Sequence, residues 1–350
     1  MFVLLSILVL GLLIVVHELG HFLAARWQHI RVSRFSIGFG PVVARYQGPE
    51  VEYALRALPL GGYVGFPDDD PDSGIPKDDP NLLKNRPILD RTIVLLAGVT
   101  ANFVFGYLVL LALVVLGGVP ETQVQPGALI QQVTAGQAAE RAGLEAGDVV
   151  LEAAGRPIGS GDGALAQLSR VFQANPDKPV NLVIRRGEQR RPVALTPSTQ
   201  GKVGVSLSPN GTVTRRAPRD IAEVFTSSAT AYGRIAVATL NGFGQLFTGR
   251  AGIDQLTGPV GIVAVTAQAA QSDWLNLFYV AALISFNLAV LNLLPLPALD
   301  GGQLVFVIAE ALRGKPVPDK IQNYVNQAGM LVLLGLGILL IFRDTFNLLQ

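Results

Sequence analysis

The feature that most restricts how this chain can fold is its first apolar stretch, residues 2–25, which is long enough to cross a bilayer yet carries His17, Glu18 and His21 in its second half. Ionisable groups are costly at that depth and, where they occur, mark function. On a helix, residues four apart share one face, so His17 and His21 point the same way and Glu18 sits beside them. Two histidines at this spacing with a glutamate after the first can hold zinc and act on metal-bound water.

Composition agrees with a membrane chain. Half of the 350 residues are hydrophobic and 15% are charged. Mean hydropathy is positive. Three further stretches, residues 88–119, 274–296 and the shorter 328–342, are apolar enough to span. The first stretch resembles a signal peptide, but it lacks a positive leading region and cleavage would discard the histidine pair, so it is expected to be retained. Arg26, Arg31 and Arg34 follow the first span, and Lys84, Arg86 and Arg91 precede or enter the second, which places the loop between them in the cytoplasm. The amino terminus, the long region between the second and third spans, and the carboxyl terminus then lie outside. A net charge of +1 without a basic face excludes a nucleic-acid partner. With no cysteine, disulfides, thiolate zinc sites and cysteine nucleophiles are excluded, leaving histidine and carboxylate as zinc ligands.

The expected organisation has four parts. Residues 1–119 hold two spans separated by a β-hairpin over residues 35–66, in which Val51, Tyr53 and Leu55 alternate with Glu52, Ala54 and Arg56 after a turn at Gly48-Pro49-Glu50. Residues 67–80, with six aspartates and four prolines, are expected as a solvated loop whose spacing fits no calcium-binding pattern. Residues 120–209 change to soluble grammar, with strands near 128–133, 149–153, 180–185 and 191–196 and a helix with Leu165, Leu168, Val171 and Phe172 on one face. Ala142-Gly143-Leu144-Glu145-Ala146-Gly147-Asp148 followed by Gly155-Arg156-Pro157-Ile158, with Lys202-Val203-Gly204-Val205 at the end, resembles a permuted PDZ domain. That resemblance implies a groove taking an extended peptide by strand addition, and its rival is a spacer without a ligand. Residues 210–273 read as an amphipathic linker on the membrane surface, its helix capped by Asp220 and Glu223. Residues 274–350 carry the last two spans.

A hydrolytic zinc site needs a third protein ligand and an open position. His29, the remaining histidine, lies two turns beyond His21 in polar sequence and reads as a surface residue. Asp300 follows a span and sits in Asn292-Leu293-Leu294-Pro295-Leu296-Pro297-Ala298-Leu299-Asp300-Gly301-Gly302, where two prolines break the helix. Broken backbone at membrane depth is tolerated where protein or a water-filled cavity satisfies it. The first and third spans would deliver His17, His21 and Asp300 to the same, cytoplasmic side. A helix cap is the plainer reading of Asp300. Glu310 and Asp344 follow no helix break.

An HExxH pattern on a first span, a distant Asn-x-x-Pro-x-Pro-x-Leu-Asp-Gly and a PDZ-like insertion between spans resemble the site-2 protease family of intramembrane zinc metalloproteases. Ala97-Gly98-Val99-Thr100-Ala101-Asn102-Phe103 and Gly258-Pro259-Val260-Gly261-Ile262 are similar to its bacterial branch that includes the regulator-of-sigma-E protease, although that protease has tandem PDZ domains and this chain has room for one. The resemblance implies a multi-pass α-helical membrane protein with about four spans, in a bacterial inner membrane or one of bacterial descent. It implies zinc on His17, His21 and Asp300, Glu18 as general base, and the β-loop dipping into the membrane to pair with unwound substrate. It further implies that Asn287 or Asn292 holds substrate backbone; for both, and for Asn102, interhelical hydrogen bonding is the alternative. The substrates implied are single-span membrane proteins already trimmed outside, with their new carboxyl termini read, or bulky ectodomains excluded, by the PDZ-like domain. A membrane zinc transporter or sensor, and a non-catalytic PDZ scaffold, are the rival readings.

Overall fold

The computed structural model describes residues 1–70, 73–134, 136–250, 252 and 256–349. The chain divides into two compact units, Met1–Gly117 with Pro218–Gln350, and Gly118–Ala217. From the amino terminus run α1 (Phe2–Trp27), β1 (Arg34–Gln47), β2 (Glu52–Gly65) and α2 (Ile88–Gly117). The second unit holds β3 (Val119–Val133), α3 (Ala138–Arg141), β4 (Val149–Ala153), β5 (Arg156–Pro157), α4 (Gly161–Ala174), β6 (Val180–Arg186), β7 (Gln189–Leu195) and β8 (Val205–Arg216). The chain returns with α5 (Ile221–Phe247), α6 (Pro259–Ser272), α7 (Trp274–Leu293), α8 (Asp300–Arg313) and α9 (Asp319–Leu349).

Among the described residues, α1, α2, α7 and the Asp319–Asn347 part of α9 are long and apolar enough to cross a membrane. The fourth helix begins nine residues before the apolar run suggested, because its first turns, Asp319 to Gln327, are polar and invisible to hydropathy. The helices meet at small residues. A Cβ on Gly20 would fall 2.4 Å from the Ala97 carbonyl oxygen and 2.8 Å from Ala101 Cβ, so α1 and α2 touch nearly backbone to backbone. Ser285 of α7 donates to the Asn102 carbonyl at 2.8 Å, tying α7 to α2.

Helix α5, expected as an amphipathic surface segment, packs against α2 and α7. Ser228 Oγ donates to Leu110 O, Tyr232 OH to Phe103 O at 2.7 Å, and Thr239 Oγ1 to Asn287 Oδ1 at 2.6 Å. Ascending positions on α5 meet descending positions on α2, so the two lie antiparallel along their length, and Ile235 joins Leu110, Leu113, Ala282 and Phe286 in one buried cluster. Its polar side chains, which made the segment look too hydrophilic to sit among spans, are the groups that hydrogen-bond its neighbours. Asp220 caps its start, accepting from the Glu223 N–H at 2.7 Å.

Strands β1 and β2 form more than a hairpin. Residues 42–47 pair antiparallel with 52–56 around the Gly48 turn; residues 34–37 then pair in parallel with 52–55 and antiparallel with 62–65. The spatial order is therefore 62–65, 34–37, 52–55, 42–47, and segment 62–65 is an edge. One face of this sheet packs on α1 through Phe22, Phe35 and Tyr53, whose ring centroids lie 5.2 to 6.4 Å apart. The aspartate-rich loop is partly structural: Asp68 accepts the backbone N–H groups of Leu83 and Lys84, and Asp79 pairs with Arg31 at 2.9 Å. Pro71 and Asp72 of that stretch lie outside the described residues.

The second unit is an antiparallel sheet in the order β7-β6-β4-β3-β8, with β5 beside β4. Helix α4 buries Ala164, Leu168 and Phe172, one face at four-residue spacing, against β3 and β8. Strand β8 is an edge, which accommodates Pro209 and its missing N–H. Buried Asp148 accepts two hydrogen bonds from Arg186, at 2.7 Å each, and one from the Glu145 N–H.

Candidate metal centre

Helical spacing on α1 stacks His17 over His21, with ring centroids 4.7 Å apart and their Nε2 atoms 3.2 Å apart. Both are buried. The Asp300 carboxylate arrives from another element, at the start of α8. Pro295 and Pro297 end α7, Ala298 adopts a left-handed φ of 67°, and α8 turns back so closely that a Cβ on Gly301 would lie 2.3 Å from the Leu293 and Leu294 carbonyl oxygens. This fold-back sets Asp300 Oδ2 3.1 Å from His17 Nε2 and 3.4 Å from His21 Nε2.

Helix α2 backs both rings. The Val94 carbonyl oxygen lies 2.8 Å from His21 Nδ1, which accordingly donates to it and keeps the lone pair on Nε2. Asn102, fully buried, has its side-chain amide 3.3 Å from His17 Nδ1. Gly98 leaves space for the rings, since a Cβ there would fall 2.3 Å from His21 Nε2 and 2.9 Å from His17 Cε1. Glu18 lies beside Val64 of the edge segment of β2. Gly62 lies beside it, the position of a Cβ there being 3.1 Å from Glu18 Cγ.

His17, Glu18, His21 and Asp300 border a cavity of about 570 Å³, lined among others by Ile14, Tyr63, Asn292 and Ala298. Of the two asparagines expected to hold substrate, Asn292 lines the cavity, whereas Asn287 accepts from Thr239 on α5. His29 is exposed at the end of α1, Glu310 pairs with Arg91, and Asp344 accepts from the Gly261 N–H, so none of the three joins the cluster. The motif on α1 gave no sign of Gly98, Val94 or Gly62. Gly98 and Asn102, one turn apart on α2, belong to the stretch Ala97–Phe103 that carried the family resemblance, and their spacing puts them on one face.

Asp300 Oδ2 is buried without an aligned hydrogen-bond donor, a costly state for a carboxylate oxygen unless a cation faces it. Two imidazole nitrogens and this oxygen, 3.1 to 3.4 Å from one another, fit zinc: ligand atoms about 2.0–2.1 Å from a tetrahedral ion are about 3.3 Å apart. Among the described residues, His17, His21 and Asp300 form the one such group of histidine and carboxylate donors.

Two histidines four apart on a membrane helix, with a glutamate after the first and a distant carboxylate completing the donor set, form the pattern of a zinc metalloprotease. Residues 5–336 match Peptidase family M50, the site-2 protease family, and the chain belongs to it. It is 51% identical over 354 residues, covering 99% of this chain and 97% of the relative, to a Nostoc sp. (strain PCC 7120) protein named as a zinc metalloprotease. A Synechocystis sp. (strain PCC 6803) protein so named is 52% identical, with 97% and 93% covered. The membrane metalloprotease ARASP, chloroplastic, of Arabidopsis thaliana is 44% identical over 98% of this chain and 78% of its own length.

Proposed function

We propose that this zinc metalloprotease cuts peptide bonds within or near transmembrane segments of single-span membrane proteins, with zinc held by His17, His21 and Asp300 and with Glu18 as general base. The observation that carries the reading is the convergence of those three donor atoms, 3.1 to 3.4 Å apart, beside Glu18, with both histidines carried by an apolar helix. Bound zinc supplies Lewis acidity, lowering the pKa of a coordinated water and polarising a carbonyl. Glu18 takes the proton from the attacking water and passes it to the leaving amine. Glu18 lines the cavity beside Val64. Asn292 contacts the substrate backbone, while Asn287 serves the α5 to α7 contact.

A helical substrate hides its carbonyls in hydrogen bonds and must be opened before attack. Edge segment 62–65, with one strand neighbour among the described residues and adjoining the cavity, is suited to take the unwound chain as an added strand. The Gly118–Ala217 unit, with its edge strand β8 beside α4, is read as a PDZ-like domain outside the membrane that binds the carboxyl termini of substrates already trimmed there. Loop charges put the active site near the cytoplasmic side.

Glu18→Gln is the decisive variant. It is expected to retain zinc by elemental analysis and to stop cutting a model transmembrane substrate. Continued cutting would overturn the assignment of Glu18, and undiminished zinc in Asp300→Ala would overturn that of the third ligand.

A further inference from the structure

We infer that Asn102 is a positioning residue for the metal centre: its side-chain oxygen accepts a hydrogen bond from His17 Nδ1–H and so keeps the lone pair of His17 on Nε2, facing Asp300 and His21. The inference rests on the ligand set proposed above and extends it to α2.

The steps are geometric. His17 Nε2 is the atom that faces the cluster, 3.1 Å from Asp300 Oδ2 and 3.2 Å from His21 Nε2. A neutral imidazole carries one proton, so an Nε2 that donates its lone pair to a metal requires the proton on Nδ1. A buried Nδ1–H needs an acceptor. Asn102 is the side chain that meets it, fully buried, with Nδ2 placed 3.3 Å from His17 Nδ1. In that orientation the amide would offer a donor to a nitrogen that must itself donate, and Asn102 Oδ1 would be buried with no partner. Oxygen and nitrogen of an amide are interchanged by a half-turn about one bond, and the hydrogen-bond network decides between them. The half-turn lets Oδ1 accept from Nδ1–H, so that the buried ring proton gains its acceptor and the oxygen its donor, and it moves Nδ2 to the position that Oδ1 had held.

The second histidine shows the same arrangement with a different acceptor, the Val94 carbonyl at 2.8 Å from His21 Nδ1. Both acceptors belong to α2, two turns apart, and Gly98 lies between them against both rings. One face of α2 therefore sets the tautomer of each histidine. The Asn102 backbone is itself held, its carbonyl accepting from Ser285 Oγ at 2.8 Å, so the amide has little freedom to move away. Metal-bound histidines ordinarily have such a partner on the remaining ring nitrogen, and its removal typically weakens metal affinity 10- to 100-fold.

The test uses the full-length protein in detergent. Zinc affinity is measured by competition with a chelator in wild type, Asn102→Leu and Asn102→Asp, with His17→Ala as control. Leucine keeps the volume without an acceptor, and aspartate keeps the acceptor. Zinc affinity is expected to fall about 10- to 100-fold in Asn102→Leu and to be retained in Asn102→Asp. Wild-type affinity in Asn102→Leu, with loss of zinc in His17→Ala, would overturn the inference while leaving the ligand set intact; undiminished zinc in His17→Ala would overturn the ligand set itself. Should Asn102→Leu fail to fold, ¹⁵N-histidine spectra of the zinc-loaded wild type decide the matter. With three histidines in the chain the signals can be assigned. A His17 ring protonated at Nδ1 with that proton hydrogen-bonded is expected, and zinc on Nδ1 or a free Nδ1–H would refute the role of Asn102.

Discussion

Gly98 of α2 lies so close to His21 of α1 that a methyl group on its Cα would fall 2.3 Å from Nε2, well inside van der Waals contact. The absence of a side chain at this one position is what lets two helices approach with two imidazole rings between them. Gly98→Ala is therefore expected to displace both rings and reduce zinc content and cleavage together, by at least about tenfold, since a shift near 1 Å at a reacting centre is already severe. Metal content measured alongside cleavage checks this; full zinc with full activity would show that the rings move aside freely.

Gly301 makes the corresponding close approach on the Asp300 side, a Cβ there falling 2.3 Å from two backbone oxygens that cannot rotate away. Gly301→Ala is expected to cost about 1–3 kcal/mol or more through overpacking and to misplace the carboxylate. Gly337→Ala on α9, where nothing lies within 4 Å, is the comparison and should be nearly neutral. Thermal unfolding in detergent of the two variants distinguishes a local effect from a general intolerance of alanine.

Arg91 of α2 and Glu310 of α8 form a two-pronged ion pair at 2.6 and 2.9 Å, with side chains only 15% and 19% exposed. It binds the far part of the helix that begins with Asp300 to the helix that backs the histidines. Removing one charge, as in Arg91→Met or Glu310→Gln, should cost about 1–3 kcal/mol because the remaining charge stays half-buried and unpaired. Removing both should cost less than the sum. A double-mutant cycle on unfolding tests this, and strict additivity would mean the pair is incidental.

In the Gly118–Ala217 unit, burial pushes the Asp148 carboxyl up, but the Arg186 guanidinium and the Glu145 N–H outweigh it and hold the group below its usual value of 3.8. A carboxyl depressed in the folded state contributes stability that is complete above the unfolded value and lost as pH falls through the folded one. Hydrogen exchange of this unit in the full protein, followed from about pH 6 to about pH 3, should show protection that declines at the acid end. Asp148→Asn should be less protected at neutral pH and lose less on acidification; an unchanged acid profile would mean that other carboxylates govern it.

Much of this was legible in the order of residues. The apolar runs mark the spans because hydrocarbon demands a continuous side-chain property that a sequence displays directly. Three of the four residues singled out for chemistry sit within five positions of α1, where helical geometry alone fixes their relation, and Asp300 was marked by a proline break. The contacts of helix α5 were not legible, because the polarity of Ser228, Tyr232 and Thr239 does not say that they are bonded to α2 and α7. The hairpin was understated because pairing between residues 34–37 and 52–55 is non-local, and alternation along a strand does not say which partners it has.

By itself, then, the sequence determined the class of protein: which stretches are apolar, which ionisable groups lie inside them, and which chemistry those groups can do. Only the tertiary structure decided how the parts serve one centre. The partners that orient the histidines, Val94, Gly98 and Asn102, are a carbonyl, an absent side chain and an amide on another helix. Their place beside the rings is not written in the sequence, because what matters is their distance from residues some eighty positions away in the chain, and distance is a property of packing.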